Sequence, residues 1–326
     1  MTISKSSAEK IDVQEAIEKL RATYEAKVAE GKIKPEPPKP KQLFVPGVGR
    51  DDDGHERRAI PNHLARSSLF AAVKRGRRKR YSGEVLVSRS DAKIEYYGQQ
   101  LDEGDADVWM QVIKTVMGTP LGQPVTVNRA EFLREIGRRR GRATYRWLNE
   151  SMRRLWDAGI IISVTRPNGQ RKIHITEALH LIDGWALNEE TNEYEMRLNP
   201  RWRQLFAGRE YALIDWDKRL AITGRGSELA KALQRLIATS NHLVQSWSLR
   251  WLMDWRQYDA APRQFRAELC RACAELVRVG IIAEWRLEVS THGQEQLTVE
   301  LPITVQMDIA PDTIDVTPTD PAISTD

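Results

Sequence analysis

The feature that most constrains the fold of this chain is an internal near-repeat with an offset of 121 residues. Residues 155–161 (LWDAGII) resemble residues 276–282 (LVRVGII), and apolar positions in the preceding helical stretches match at the same offset. An earlier apolar pattern at 109–116 agrees with 229–236 within one position. Because the order of predicted elements repeats as well, the sequence predicts two copies of one structural unit.

Each copy is predicted to contain a helix, a short strand, two more helices and a two-stranded hairpin. The predicted helices of the first copy are 105–117, 129–137 and 143–158, and its hairpin covers 160–176. Those of the second copy are 226–240, 247–256 and 263–279, and its hairpin covers 281–301. Three helices followed by a hairpin are the pattern of the winged helix-turn-helix. We therefore expect an α+β fold with two tandem winged helix-turn-helix domains.

The residues outside the two copies complete the predicted domain organisation. Apolar residues spaced by three or four predict an N-terminal helix over 8–30, and a proline-rich linker follows it. Two further hairpins are predicted over 81–101 and 178–198. The expected divisions are an N-terminal helix and linker at 1–59, a first domain at 60–200, a second domain at 201–305 and a disordered acidic tail at 306–326.

Composition and charge narrow the class of protein. The hydrophobic fraction is 41% and the charged fraction 29%, as in globular proteins that fold in water. No apolar run approaches the roughly 18 residues of a membrane-spanning helix, so no membrane partner is expected. Two cysteines are too few for a disulfide framework, which favours a cytoplasmic protein. Without the acidic tail, residues 1–307 carry a net charge of +10, which favours a polyanion as partner.

The third helix of the first copy divides into an apolar face and a basic face. Its basic face and the loop before it hold the predicted DNA-binding residues Arg138, Arg139, Arg140, Arg142, Arg146, Asn149 and Arg153. Arg166, Arg171 and Lys172 flank the tip of the predicted hairpin, or wing. A helix fits the major groove and neighbouring cations neutralise phosphates, so this copy is predicted to bind DNA. The alternative is a solvated basic face.

The third helix of the second copy has a similar division. It is predicted to bury Phe265, Leu269, Cys273 and Leu276 and to present Arg263, Gln264, Arg266, Ala267 and Arg271 to DNA. The hairpin that follows carries four glutamates, which disfavour contact with phosphates. We therefore expect this helix to read bases without help from its wing.

A third basic segment lies outside both copies. Six cations occur in the seven residues 74–80, and they are candidate phosphate-binding residues: Lys74, Arg75, Arg77, Arg78, Lys79 and Arg80. The alternative is an exposed loop without a fixed contact.

The sequence contains no recognisable catalytic or cofactor motif. The six histidines form no metal-binding pattern, and no phosphate-binding loop is present. Cys270 and Cys273 form a C-x-x-C motif without the context that redox or zinc chemistry needs, so both are expected to be ordinary helix residues. We predict a protein that is not an enzyme and needs no cofactor or metal.

Several blocks of sequence are similar to one known family. They are Pro61-Asn62, 65–70 (ARSSLF), 93–98 (KIEYYG) with Leu101, 108–109 (VW) with 111–112 (QV), 119–126 (TPLGQPVT) and 205–208 (LFAG). Through these blocks and the last unit, the chain from about 60 to 290 resembles the TrfA-type plasmid replication initiators. The resemblance implies binding to directly repeated origin sites, called iterons, opening of the adjacent duplex and loading of the host replicative helicase.

The resemblance also implies further partners. Monomers would bind iterons, whereas dimers would pair origins or repress their own gene and so control copy number. The host initiator and the host sliding clamp are implied partners as well. Members of the family bind the clamp through a Gln-Leu-Ser-Leu-Phe peptide, for which Gln42, Leu43 and Phe44 are a candidate counterpart that lacks two residues. The alternative for these three residues is an ordinary linker.

The sequence thus predicts a plasmid-encoded replication initiator of the bacterial cytoplasm that binds iteron DNA. A winged-helix transcriptional repressor without an initiator role would share the fold and is the first alternative. A nicking enzyme is the second, and it would need a catalytic tyrosine and usually a pair of histidines for a metal.

Overall fold

The structure, a computed structural model, describes residues 48–50, 54–73, 78–165, 171–207, 210–291 and 293–303, with the main chain alone at Arg171 and Lys172. All of these belong to the unit Gln42–Asp326. The predicted N-terminal helix, the proline-rich linker and the acidic tail from 306 onward lie outside the described residues.

The elements before the first copy are short. In chain order they are β1 (Gly49–Arg50), β2 (Glu56–Pro61), α1 (Asn62–Ala65), β3 (Arg80–Val85) and β4 (Ala92–Gln99). β3 and β4 pair antiparallel and confirm the hairpin predicted over 81–101.

The first copy contains the predicted helices within two residues of their expected ends. Its elements are α2 (Glu103–Val116), β5 (Val125–Asn128), α3 (Arg129–Glu135) and α4 (Arg142–Asp157). Asp102 forms a capping box with Asp105 at the start of α2, and the Asn128 side chain accepts hydrogen bonds from the first amides of α3. These caps explain where the two helices begin.

Four strands follow α4. They are β6 (Gly159–Thr165), β7 (Arg171–His180), β8 (Gly184–Asn188) and β9 (Glu193–Arg197). β8 and β9 form the hairpin predicted over 178–198. A connecting segment of α5 (Trp202–Phe206), β10 (Tyr211–Asp215) and α6 (Trp216–Ala221) then leads to the second copy.

The second copy repeats the order of the first. It contains α7 (Ser227–Ile237), β11 (Val244–Ser248), α8 (Leu249–Trp255), α9 (Pro262–Arg278), β12 (Glu284–Val289) and β13 (Glu295–Glu300). Each helix lies within three residues of its predicted ends. Ser248 caps α8 by accepting from the amide of Trp251.

The two copies have sheets of the same strand order, completed by hairpins from different places in the chain. The order is β11-β13-β12 in the second copy and β5-β9-β8 in the first. In both, the strand between the first two helices pairs antiparallel with the second strand of the hairpin. The hairpin that belongs to the first copy is therefore β8–β9, and the prediction that 160–176 fills this place was wrong.

The hairpin β6–β7 instead extends β3–β4 into a four-stranded sheet of order β3-β4-β6-β7. The cause is a run of apolar cross-strand pairs, in which Tyr96 faces Ile160 and Ile94 faces Ile162 across β4 and β6. All four side chains are fully buried. Such pairs are the unit of sheet stabilisation. β5 forms its own apolar pairs with β9 instead, in which Val125 faces Met196 and Val127 faces Tyr194.

Two hydrophobic clusters underlie the copies. The first contains residues from Ala59 to Trp216, and the second contains residues from Ile222 to Leu301. Trp202, Leu205 and Trp216 pack in the first cluster, and β10 pairs with β2. The chain therefore stays with the first cluster well past the predicted boundary at residue 200.

Candidate nucleic-acid interface

Helix α4 separates its residues as the sequence predicts. Leu148, Met152 and Leu155 are fully buried in the first cluster. Arg142, Arg146 and Arg153 are exposed on the opposite side, and so are Arg139 and Arg140 in the preceding loop. Among the described residues, none of these five arginines has an ion-pair partner. This side of α4 is an unneutralised basic face.

The rotation of α4 about its axis is fixed by a buried carboxylate. Asp105 of α2 accepts hydrogen bonds from Ser151 Oγ at 2.6 Å and from Arg154 Nη2 at 2.7 Å. Burial by itself would lower the pKa of Arg154, but the hydrogen bond and charge of Asp105 raise it instead. Arg154 therefore acts inside the fold, directly beside the exposed Arg153.

Two of the predicted DNA-binding side chains in this region have partners within the fold. The Asn149 amide oxygen accepts a hydrogen bond from the Tyr194 hydroxyl of β9. The Arg138 guanidinium lies 3.6 Å from the centre of the Trp147 ring, as a cation–π contact. The side chain of Asn149 is therefore bound to the neighbouring sheet. The contact of Arg138 is with a ring face, so its N–H donors remain available at the start of the basic face.

The hairpin predicted to be the basic wing of the first copy does not lie beside β5. The hairpin β6–β7 belongs to the four-stranded sheet, Arg166 lies outside the described residues, and for Arg171 and Lys172 only the main chain is described. The hairpin that pairs with β5 turns through Glu189 and Glu190, both exposed. Its tip is acidic.

Helix α9 also separates its residues as expected. Phe265, Leu269, Cys273 and Leu276 are fully buried. The exposed side carries Arg263, Gln264, Arg266, Ala267 and Arg271. The Arg266 side chain forms an ion pair with Glu295 of β13, with Nε 2.9 Å from Oε2. Burial raises the pKa of the Cys273 thiol to about 12, as expected for a structural cysteine.

The glutamates of the second hairpin are mostly paired. Arg286 contacts Glu288 at 2.9 Å and Glu300 at 2.5 Å, and Glu295 holds Arg266. Two arginines of the second copy therefore neutralise part of the negative charge that the sequence assigns to this hairpin.

The described residues of the basic segment 74–80 differ in their contacts: Arg78 and Arg80 form ion pairs, and Lys79 does not. Lys74, Arg75 and Arg77 lie outside the described residues, as do Gln42, Leu43 and Phe44. Arg78 forms ion pairs with Asp102 and Asp105, and Arg80 contacts Asp157 at 2.9 Å. Lys79 is exposed and has no ion pair within the described ranges.

A buried charge cluster joins the two copies, and sequence reasoning missed it. Glu103 of α2 contacts Arg219, Arg235 and Arg256 at 2.6–3.1 Å. Burial would raise the pKa of Glu103, but these three arginines lower it to about 2. The sequence does carry a signal for this cluster, because acids alternate over the first five residues of α2 (Glu103, Asp105, Asp107). Acids at the start of a helix are usually explained by favourable interaction with the helix N-terminus, so the signal was not recognised.

The described residues contain neither a membrane-spanning helix nor a metal-binding cluster. No helix there is long and apolar enough to cross a membrane. No group of three or more His, Cys, Asp or Glu side chains is placed to hold a metal ion in the same part of the chain.

The fold is similar to that of known crystal structures. The crystal structure of selenomethionine derivatives of domains 2 and 3 of RctB superposes with a TM-score of 0.51 at 12% identity, covering 74% of this chain and 98% of that one. The predicted α+β fold class is confirmed. The crystal structure of the Pi initiator protein in complex with iteron DNA has a TM-score of 0.43 at 13% identity, over 60% of this chain and 89% of that one.

Comparison of sequences identifies the family. The plasmid replication initiator protein TrfA of Escherichia coli is 27% identical over 168 residues, which cover 49% of this chain and 42% of that protein. The family model of the TrfA protein matches residues 42–289, more than half of the chain. The chain therefore belongs to the TrfA protein family.

Proposed function

We propose that this chain is a plasmid replication initiator that binds directly repeated origin DNA through two winged helix-turn-helix modules. The first module consists of α2, β5, α3, α4 and the hairpin β8–β9. The second consists of α7, β11, α8, α9 and the hairpin β12–β13. Membership of the TrfA family and the equal strand order of the two sheets support this assignment.

The exposed arginines of α4 carry the proposal. Arg142, Arg146 and Arg153 lie along one side of the helix without an ion pair among the described residues, whereas the adjacent Arg154 is buried and paired. Unneutralised cations on one side of a helix suit a groove lined by phosphates. The loop from Arg138 to Arg140 extends this basic side towards the backbone of the duplex.

The acidic tip of β8–β9 limits how the first module can be placed on DNA. Glu189 and Glu190 would repel phosphates, so we expect α4 and the loop before it, rather than the wing, to contact the DNA backbone. In the second module we expect α9 to read base edges through Arg263, Gln264 and Arg266, with the small Ala267 allowing a close approach.

The proposed activity is non-covalent. Unstacking DNA costs a few kcal/mol per base step, and bending by several bound copies can supply this. The replicative helicase, the host initiator and the sliding clamp are the proposed host partners, with self-association for copy control. The proposal assigns the chain no catalytic role, which incubation with Mg²⁺ and supercoiled origin DNA tests, since nicking would contradict it.

DNase I footprinting on the plasmid that carries the gene tests the central proposal. We expect protection of directly repeated sites at the origin, and we expect a plasmid without the gene to stop replicating. Protection of a promoter alone, with replication unaffected by deletion, would identify a transcriptional repressor instead.

Arginine variants test the assigned faces. Arg146→Ala and Arg263→Ala should each weaken binding to a protected repeat by about 1–3 kcal/mol if the side chains contact bases. Arg201→Ala is the matched control, because Arg201 belongs to neither α4 nor α9 and pairs with Glu177 at the surface. Equal affinities for all three variants would show that the faces were wrongly chosen.

A further inference from the structure

The ion pair between Arg266 and Glu295 connects the exposed side of α9 to the hairpin beside it. Arg266 Nε lies 2.9 Å from Glu295 Oε2, and Nη2 donates to the same oxygen. The Arg266 side chain is 49% exposed and the Glu295 side chain 28% exposed. The pair is thus open to solvent and to a ligand on one side.

The hydrogen bonds occupy one edge of the guanidinium, and no residue in the described part of the chain bonds to the other edge. A guanidinium has five N–H donors in a fixed plane. Glu295 engages the edge formed by Nε and one hydrogen of Nη2. The second edge, formed by Nη1 and the remaining hydrogen of Nη2, keeps two parallel donors. Two parallel donors match the O6 and N7 acceptors of guanine in the major groove.

Arg266 differs in this respect from Arg263 and Arg271, the other two arginines proposed to face DNA; Arg278, the last residue of α9, pairs with Glu275 of the same helix. Within the described residues, Arg263 and Arg271 make no ion pair, so their long side chains keep their rotamer freedom. The other paired glutamates of the hairpin, Glu288 and Glu300, contact Arg286 of β12 rather than the helix. Glu295 alone among these three carboxylates connects the hairpin to α9.

A partly exposed pair of this kind adds little to stability, because solvent screens it. Its effect is on geometry, since a held side chain loses less freedom when DNA binds. A competing role is also conceivable on charge alone, in which Glu295 would neutralise Arg266 and weaken contact with phosphates. The free second edge favours the first role, because the donors needed for a base remain available.

We propose that Arg266 recognises a guanine in the major groove and that Glu295 is the positioning residue that fixes its guanidinium. This inference rests on the proposed function, and it assigns a base identity and a second residue to the same surface. Glu295 itself contacts no base in this arrangement.

Selection from a pool of duplexes randomised over about two helical turns tests the inference. Full-length wild-type protein should select a sequence with guanine at a fixed position, and Arg266→Ala should lose that preference. Glu295→Gln should lower the guanine preference about tenfold while leaving the salt dependence of binding unchanged. Arg266→Lys, which keeps the charge but not the planar edge, should behave like Glu295→Gln.

Glu288→Gln is the matched control, because it removes a carboxylate from the same hairpin without touching Arg266. If Glu295→Gln and Glu288→Gln select the same sequences as wild type, the ion pair is an ordinary surface contact and the inference is wrong. Tighter binding of Glu295→Gln to every sequence, with a steeper salt dependence, would show that Glu295 competes with phosphates. Wild-type protein that selects no sequence at all would overturn the proposed function along with this inference.

Discussion

Glu103 Oε1 lies 2.6 Å from Arg235 Nη2, and both side chains are fully buried. The pair joins α2 and α7, which are the equivalent first helices of the two copies. Arg219 and Arg256 contact the same carboxylate at 3.0 and 3.1 Å. One buried acid therefore contacts three arginines from the connecting segment and the second copy, and Asp107 pairs with Arg219 as well. Buried charges of this kind contribute less to stability than to the choice of one arrangement.

Replacing Glu103 by Gln should reveal this dependence. The variant keeps the size of the side chain but removes the carboxylate that pairs with the buried Arg235 and Arg256, while Arg219 keeps its contact with Asp107. We therefore expect a loss of about 3–5 kcal/mol in the free energy of unfolding. Urea denaturation at neutral pH measures it. Glu131→Gln is the control, because Glu131 pairs with Arg134 at the surface and should matter by less than about 0.5 kcal/mol. Equal midpoints for the two variants would contradict the role of Glu103.

The pH dependence of the free energy of unfolding should also show the contribution of Glu103. Burial opposes ionisation of Glu103, but its arginine partners lower the folded-state pKa from 4.5 to about 2. A lowered pKa means that the stabilisation is fully present above the unfolded value and is lost as the pH falls towards 2. The shift corresponds to about 3 kcal/mol. Wild-type protein should therefore lose more stability than Glu103→Gln between pH 5 and pH 2, and parallel pH profiles would exclude this explanation.

The helices could be predicted from sequence because their signals are local. Apolar spacing and glycine stops placed α2, α3, α4 and α7–α9, and the exposed side of α4 followed from the same spacing. Strand pairing could not be predicted in this way. The alternating residues of β6 identify a strand with one buried face, but β4 and β5 were both available as partners. The structure selects β4 through Ile94 and Tyr96.

The roles of individual charges depended on partners distant in sequence. Arg78 and Lys79 look alike in the basic run, yet only Arg78 lies beside Asp102 and Asp105. Asn149 was expected to face DNA, and Tyr194 reaches it only because β8–β9 occupies the sheet next to α4. Spacing within one helix shows the face of a residue but not the neighbour that another segment brings to it.

Arg78 and Lys79 allow a direct comparison within the basic run. Arg78→Gln should lower the free energy of unfolding by about 1–3 kcal/mol, because Asp105 is buried and loses one of its partners. Lys79→Gln should leave stability unchanged and lower the salt slope of DNA binding by about 1 if the lysine contacts a phosphate. Thermal unfolding and binding at several salt concentrations separate the two effects. A wild-type salt slope for Lys79→Gln would make this lysine an exposed residue without a DNA contact.

Arg153 and Arg154 provide the sharpest test of the face of α4, because neighbouring residues of one helix have opposite roles. Arg154→Leu removes a charge that Asp105 needs, and with Arg78 remaining as a partner we expect a loss of about 3 kcal/mol in the free energy of unfolding. Arg153→Leu should change stability by less than about 0.5 kcal/mol. Its affinity for the protected repeat should fall by about 1–3 kcal/mol if Arg153 contacts a base. Leucine is as good a helix former as arginine, so helix propensity does not distort the comparison. If Arg154→Leu were the variant that bound DNA weakly at full stability, α4 would have to present the other side to the duplex.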